Sequence, residues 1–194
     1  MNAIDVIKVR LSKTKNLIAK SARYACYYAR EIIKGRWPKF KEVVAVNTQD
    51  ARVAYAYAEK VIKGRFPEGE ATIATNAYYA YEYAQNVIKG RFFKGEEVIA
   101  TNAYYAYLYA RYIIKGQWLE GETVIATDAS CAYWYAEDVI KCRFPEAEEV
   151  IVKDARLAYK YAKYVIKGQW PEKAISTFKR PIEFSSFLNW KRAK

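Results

Sequence analysis

The chain has 194 residues and carries 33 Lys or Arg against 21 Asp or Glu, a net charge of +12, with no His, three Cys and nineteen Tyr. The missing histidine removes the commonest general base and the commonest metal ligand, and no run approaches the ~18 uninterrupted apolar residues of a membrane span. Cys26, Cys131 and Cys142 have neither the even count of a disulfide framework nor a Cys-x-x-Cys zinc spacing, so reduced thiols in a cytosol are expected.

Residues 1–11 are expected to form an N-terminal capping helix; Asp5, Lys8 and Arg10 are scattered through them, which argues against a signal peptide. From about residue 12 to residue 175 a 26-residue unit recurs. Gly64, Gly90, Gly116 and Gly168 mark it, Cys142 takes the glycine's place in one copy, and Gly35 stands one slightly longer step earlier. Self-similarity at a fixed period predicts one supersecondary unit stacked on its neighbours. Ser21, Asp50, Asn76, Asn102, Asp128 and Asp154 are placed as helix N-caps. Fourteen residues on comes the glycine, read as a left-handed C-terminal cap, and two further an aromatic (Trp37, Phe66, Phe92, Trp118, Phe144, Trp170) expected to fold back on the last turn. In that cap Cys142 would carry strain on the order of 1 kcal/mol. The predicted long helix has about 13 residues.

Pro38, Pro67, Pro145 and Pro171 then open a short second helix with Glu near its positive end. Three extra residues near positions 46–49 predict a local loop. After Trp170 the pattern decays, and residues 176–194 are read as a C-terminal capping helix with a basic tail. The predicted fold is all-α: an α-solenoid of about six two-helix repeats, one elongated domain over 1–194.

At about 100° per residue, the positions 1, 4, 5, 7, 8, 11 and 12 after each N-cap span an arc of about 160°. They hold Ala, Ala, Tyr, Tyr, Ala, Val or Ile, and Ile. So broad an arc suits a helix held between the hairpins before and after it. The alanines permit close approach, and the two tyrosines sit at the arc's edges as packing residues whose hydroxyls reach water or a neighbour.

Positions 2, 6, 9, 10 and 13 point outward, and most of them differ from copy to copy. In the third to fifth copies they gather Tyr78, Tyr104, Leu108, Tyr112 and Trp134 beside Lys89, Lys115 and Lys141. This is the candidate partner-binding face; cover by the chain itself or by a sister subunit in a homo-oligomer is the alternative. The lysine before each glycine suits the negative end of a helix dipole, or meets the phosphates of single-stranded nucleic acid while the aromatics stack its bases. Residues 1–41 hold a net +9, residues 173–194 a net +5, and the stretch between them −2. A second candidate is therefore the basic patch Lys8, Arg10, Lys13, Lys15, Lys20 and Arg23, for solvent, an acidic protein or phosphate. No catalytic or metal-binding residues, cofactor or membrane contact are expected.

The unit Ala-Tyr-x-Tyr-Ala-x-x-Val-Ile-Lys-Gly-x-(Trp/Phe)-Pro-Glu resembles tandem repeats of accessory proteins of tailed bacteriophages, over roughly residues 12 to 175. Its departures here (Cys142, Phe93, Leu119, Gln117) fall in caps and turns. The resemblance implies a small cytosolic phage protein that acts on a host component such as a defence system. It brings no catalytic or ligand positions with it.

Overall fold

The computed structural model describes residues 22–38 and 50–167. The two capping helices, the loop near 46–49 and Ser21 lie outside them. In chain order the α-helices are α1 (Ala22–Tyr28), α2 (Ala51–Tyr57), α3 (Glu70–Ile73), α4 (Ala77–Glu82) and α5 (Phe93–Ile99), then α6 (Ala103–Tyr109), α7 (Leu119–Ile125), α8 (Ala129–Trp134), α9 (Glu148–Ile151) and α10 (Ala155–Lys160). The fold is all-α, with no strand among the described residues. Among the described residues no helix is long and apolar enough to cross a membrane.

Long helices alternate with short ones, as the repeat predicts. Asp50, Asn76, Asn102, Asp128 and Asp154 each accept a hydrogen bond from a backbone N–H of the first turn that follows, Asp128 from Cys131 at 2.9 Å. This satisfies donors that a helix start otherwise leaves open. Pro67 and Pro145 open their short helices with one 3-10 turn, Pro67–Gly69 and Pro145–Ala147. Where Phe93 and Leu119 replace proline, the α-helix begins at once.

Every long helix changes winding halfway. Ala29–Ile33, Ala58–Ile62, Tyr83–Ile88, Ala110–Ile114, Tyr135–Ile140 and Tyr161–Ile166 are π-helical. Hydrogen bonds there run to the fifth residue, so each turn is wider than in an α-helix. A 100° wheel therefore misplaces the later positions. Val61, Ile62, Val87, Ile88, Ile113 and Ile114 are half-buried rather than core, because the wider turn carries them towards the edge of the packed arc.

The core is built from the earlier positions. The alanines four and eight residues after the N-cap, from Ala25 and Ala29 to Ala158 and Ala162, have no exposed surface in any copy. The tyrosines seven after the N-cap are not edge residues: Tyr57, Tyr83, Tyr109, Tyr135 and Tyr161 are at most 1% exposed. The chain divides into two compact units between Val98 and Ile99. In the first, α2 packs between α1 and α4 and against α3; in the second, α8 packs between α6 and α10, with α7 on α6 and α9 on both α8 and α10.

A clasp repeats at junctions within each unit. The aromatic after the turn stacks on the buried tyrosine of its own hairpin, Phe66 on Tyr57 at 5.2 Å and Phe144 on Tyr135 at 5.4 Å between centroids. Its backbone N–H donates to the tyrosine hydroxyl of the next hairpin, Phe66 to Tyr83 at 2.7 Å, Trp118 to Tyr135 at 2.9 Å and Phe144 to Tyr161 at 2.6 Å. The hydroxyl in turn donates to a glutamate, Tyr135 to Glu122 at 2.8 Å. A buried phenol is thus satisfied as donor and acceptor, which is what lets it enter the core.

Candidate functional site

The outward side of the second unit carries a connected aromatic patch. Trp134 lies against Tyr107, with ring centroids 5.8 Å apart. The Arg111 guanidinium sits 5.8 Å from the Tyr107 ring and 5.2 Å from the Tyr112 ring, within cation–π range. It donates to the Tyr107 hydroxyl and to Asp138, and Tyr107 donates to the same Asp138 carboxylate at 2.9 Å. Burial, with Asp138 adding to it and Arg111 opposing it, pushes the Tyr107 phenol up to about 12. Two helices of consecutive repeats are pinned through one carboxylate, and two rings are left facing solvent: Trp134 is 38% exposed and Tyr112 46%.

The predicted site residues separate by unit. Tyr104, Leu108, Tyr112, Lys115 and Trp134 belong to the second, where Tyr104 is exposed and packs edge-on against Tyr105 at 5.5 Å, while Leu108 is half-buried. Tyr78 and Lys89 belong to the first; both are exposed, and Tyr78 lies on Tyr79 at 4.8 Å. Of the basic patch, Lys8, Arg10, Lys13, Lys15 and Lys20 lie outside the described residues, and Arg23 is exposed.

One part of the outward assignment needs correction. The tenth position does not simply face a partner: Asn86 donates to Tyr55 of the preceding hairpin at 3.2 Å, and Asp138 holds Tyr107 and Arg111. Arg111 and Tyr107 belong to the patch as well, although neither is among the outward aromatics and lysines read from the repeat. Their spacing of four on one helix was the available signal. Phe93 and Leu119, set aside as turn substitutions, are the large apolar side chains of the turns left 71% and 66% exposed.

The turns hold a second correction. The residue in the left-handed region is the lysine and not the glycine: Lys34, Lys63, Lys89, Lys115, Lys141 and Lys167 have φ between 54° and 60°, and among the described residues no glycine has positive φ. The last buried alanine carbonyl accepts from two donors, as when Lys63 and Gly64 both donate to Ala58. Closing this wider ring puts the reversal one residue early. Cys142 therefore carries no left-handed strain, and a side chain there has room, since a Cβ on Gly64 or Gly116 meets nothing within 4 Å.

Left-handed backbone costs an L-residue roughly 1–2 kcal/mol, whereas an exposed cation at a helix C-terminus returns about 0.3–1 kcal/mol. The helix dipole therefore does not account for lysine in this place. The neighbouring arginines are used internally: Arg36 pairs with Glu68, Arg65 with Glu70, Arg91 with Glu96 and Arg143 with Glu148. Among the described residues Lys34, Lys63, Lys89, Lys115 and Lys141 make no ion pair, and all five are exposed.

Burial raises the Cys26 thiol, and burial together with Asp128 pushes Cys131 up to about 12, so both are held as thiols. Among the described residues no three His, Cys, Asp or Glu side chains converge to hold a metal. An open cleft of about 390 Å³ is lined by Gln117, Glu122, Cys142, Arg143 and Glu146. Several of its polar groups are already paired, Gln117 and Tyr135 with Glu122 and Arg143 with Glu148. No protein-family model, curated protein or solved structure matches the chain.

Proposed function

We propose that the chain is a non-catalytic helical-repeat scaffold that binds and blocks a host protein or ribonucleoprotein in the cytoplasm, the role that the likeness to phage repeats implies. The observation that carries this reading is the patch of Trp134, Tyr107, Arg111 and Tyr112. Its arginine is neutralised by Asp138, so the face is apolar and aromatic rather than strongly charged. Its rings are held by their own scaffold, so little side-chain freedom is lost when a partner covers them. Trp, Tyr and Arg are the residue types on which interface energy concentrates. Tyr104 and Leu108, on the same helix as Tyr107, extend the contact.

The test is capture of partners from bacterial lysate by the wild type and by a Leu108→Ala, Tyr112→Ala, Trp134→Ala variant, read by mass spectrometry with and without nuclease. The wild type is expected to enrich a defined component that the triple variant loses by at least about tenfold, equivalent to 1.4 kcal/mol. Identical partner sets would remove the aromatic patch from the binding site.

A further inference from the structure

We propose that, within each unit, the left-handed lysines form a second contact edge that takes the phosphodiester backbone of a single-stranded nucleic acid. The inference shares only Tyr112 with the aromatic patch and rests on a different observation. It starts from a conformational outlier that recurs in every described copy, at a place where glycine or asparagine would sit more easily. Strain kept in a backbone points to something the side chain does, and the helix dipole offsets only part of it. The adjacent arginine shows the contrast. Where it is present it is paired with a glutamate, and Gln117 and Gln169 replace it in two copies, whereas the lysine is present in all six, and Lys34, Lys63, Lys89, Lys115 and Lys141 make no ion pair among the described residues.

The pattern of variation selects the occupant. A folded protein partner presents a different group to each repeat, and outward positions that meet one differ accordingly, as Glu82, Leu108 and Trp134 do. A position that keeps one residue in every copy suits a polymer that offers the same anion at each step. Single-stranded RNA and DNA share that phosphate chemistry. Exposed rings stand three residues before the lysine in two copies, Tyr112 before Lys115 and Tyr164 before Lys167, and rings beside cations are the means by which single strands are held without sequence preference.

The test uses the full chain and labelled oligouridylate and oligodeoxythymidylate, with polyglutamate as the acidic-polypeptide arm. Two double variants, Lys63→Gly with Lys89→Gly and Lys115→Gly with Lys141→Gly, remove charge at positions whose backbone glycine accepts without strain. A parallel Lys→Asn pair removes the same charges with a second residue that tolerates this conformation, and a Lys→Arg pair restores them. Each Gly or Asn double variant is expected to melt at or above the wild-type temperature. Each is also expected to lower the slope of log affinity against log salt by about 1.4, at about 0.7 per phosphate contact on a single strand, while Lys→Arg leaves the slope unchanged. Equal retention of both oligonucleotides assigns the backbone alone; preference for oligouridylate assigns RNA. The proposal is overturned by an unchanged slope in the Gly and Asn variants, by no retention of either oligonucleotide, or by retention of polyglutamate in their place. A melting temperature several degrees lower in both the Gly and Asn variants would overturn it too, since the lysines would then be structural caps.

Discussion

The same scaffold position is furnished in opposite ways at Tyr55 of the first unit and Tyr107 of the second. In the first, Tyr55 lies near Glu59 on its own helix and Asn86 on the next, and Asn86 also donates to Glu82 at 2.9 Å. In the second, the equivalent Tyr107 has Arg111, Asp138 and Trp134 around it. Both tyrosines are buried, and each links one hairpin to the next. One site closes with an amide and two carboxylates; the other closes with a guanidinium and leaves an indole outside. The linking geometry is common property of the repeat, whereas its outward chemistry is set copy by copy. That is why the second unit, and not the first, carries the proposed protein-binding patch.

The largest expected effect tests the common part. Tyr83→Ala in the first unit and Tyr135→Ala in the second should each cost about 3–5 kcal/mol by denaturant unfolding, because a fully buried ring and its clasp to Phe66 or Trp118 are lost together. A clearly smaller loss in one unit would mean that the clasp is not shared.

Exchanging the furnishings sharpens the contrast. Arg111→Glu, Trp134→Glu and Asp138→Asn together give the second unit the first unit's residues. Partner capture should fall by at least about tenfold, or 1.4 kcal/mol, with the helical circular dichroism spectrum retained. Capture that survives the exchange would place the binding site elsewhere.

The units also respond to pH through named groups. Burial pushes the Tyr83 phenol up to about 12 from 10.0, and Tyr135 and Tyr161 are pushed up for the same reason. A phenol whose pKa is higher in the folded state contributes fully below its unfolded value. That contribution is lost as pH rises from about 10 through 12, so both units should unfold at alkaline pH as tyrosine absorbance at 295 nm rises. Glu70 lies in the first unit and is fully buried. Burial works to raise it, but hydrogen bonds from Arg65 and Lys94 outweigh burial and hold it below its ordinary 4.5. Its contribution is present above that value and lost as pH falls through the depressed one. Glu70→Gln should flatten the acid limb of the stability curve, and an unaltered limb would count against the assignment.

The smallest effect tests the corrected cap. Gly64→Ala and Gly116→Ala should each change stability by no more than about 0.5 kcal/mol, since neither residue is left-handed and both have room for a Cβ. A loss above about 1 kcal/mol in the melting measurements would restore the glycine as the left-handed cap.

Much of this was legible in the repeat. N-caps, buried alanines and the returning aromatic are local or periodic features, and Asp128, Ala132 and Trp118 stand where their spacing predicts. Three of the differences share one origin. A wheel drawn for uniform α-helix does not register the change to π winding after Tyr57 or Tyr109, so Val61, Ile113 and the left-handed residue were each misplaced. Asn86 and Asp138 read as outward because their partners, Tyr55 and Tyr107, lie 31 residues away.

Sequence alone determined the all-helical class, the repeat and its interior, because capping and periodic burial depend on residues within a turn or two of one another. Tertiary structure decided which tyrosine is buried, which cation is consumed and which residue bears the reversed backbone. Those outcomes depend on groups from neighbouring hairpins competing for the same carboxylates and carbonyls, a competition that spacing along one chain segment does not encode.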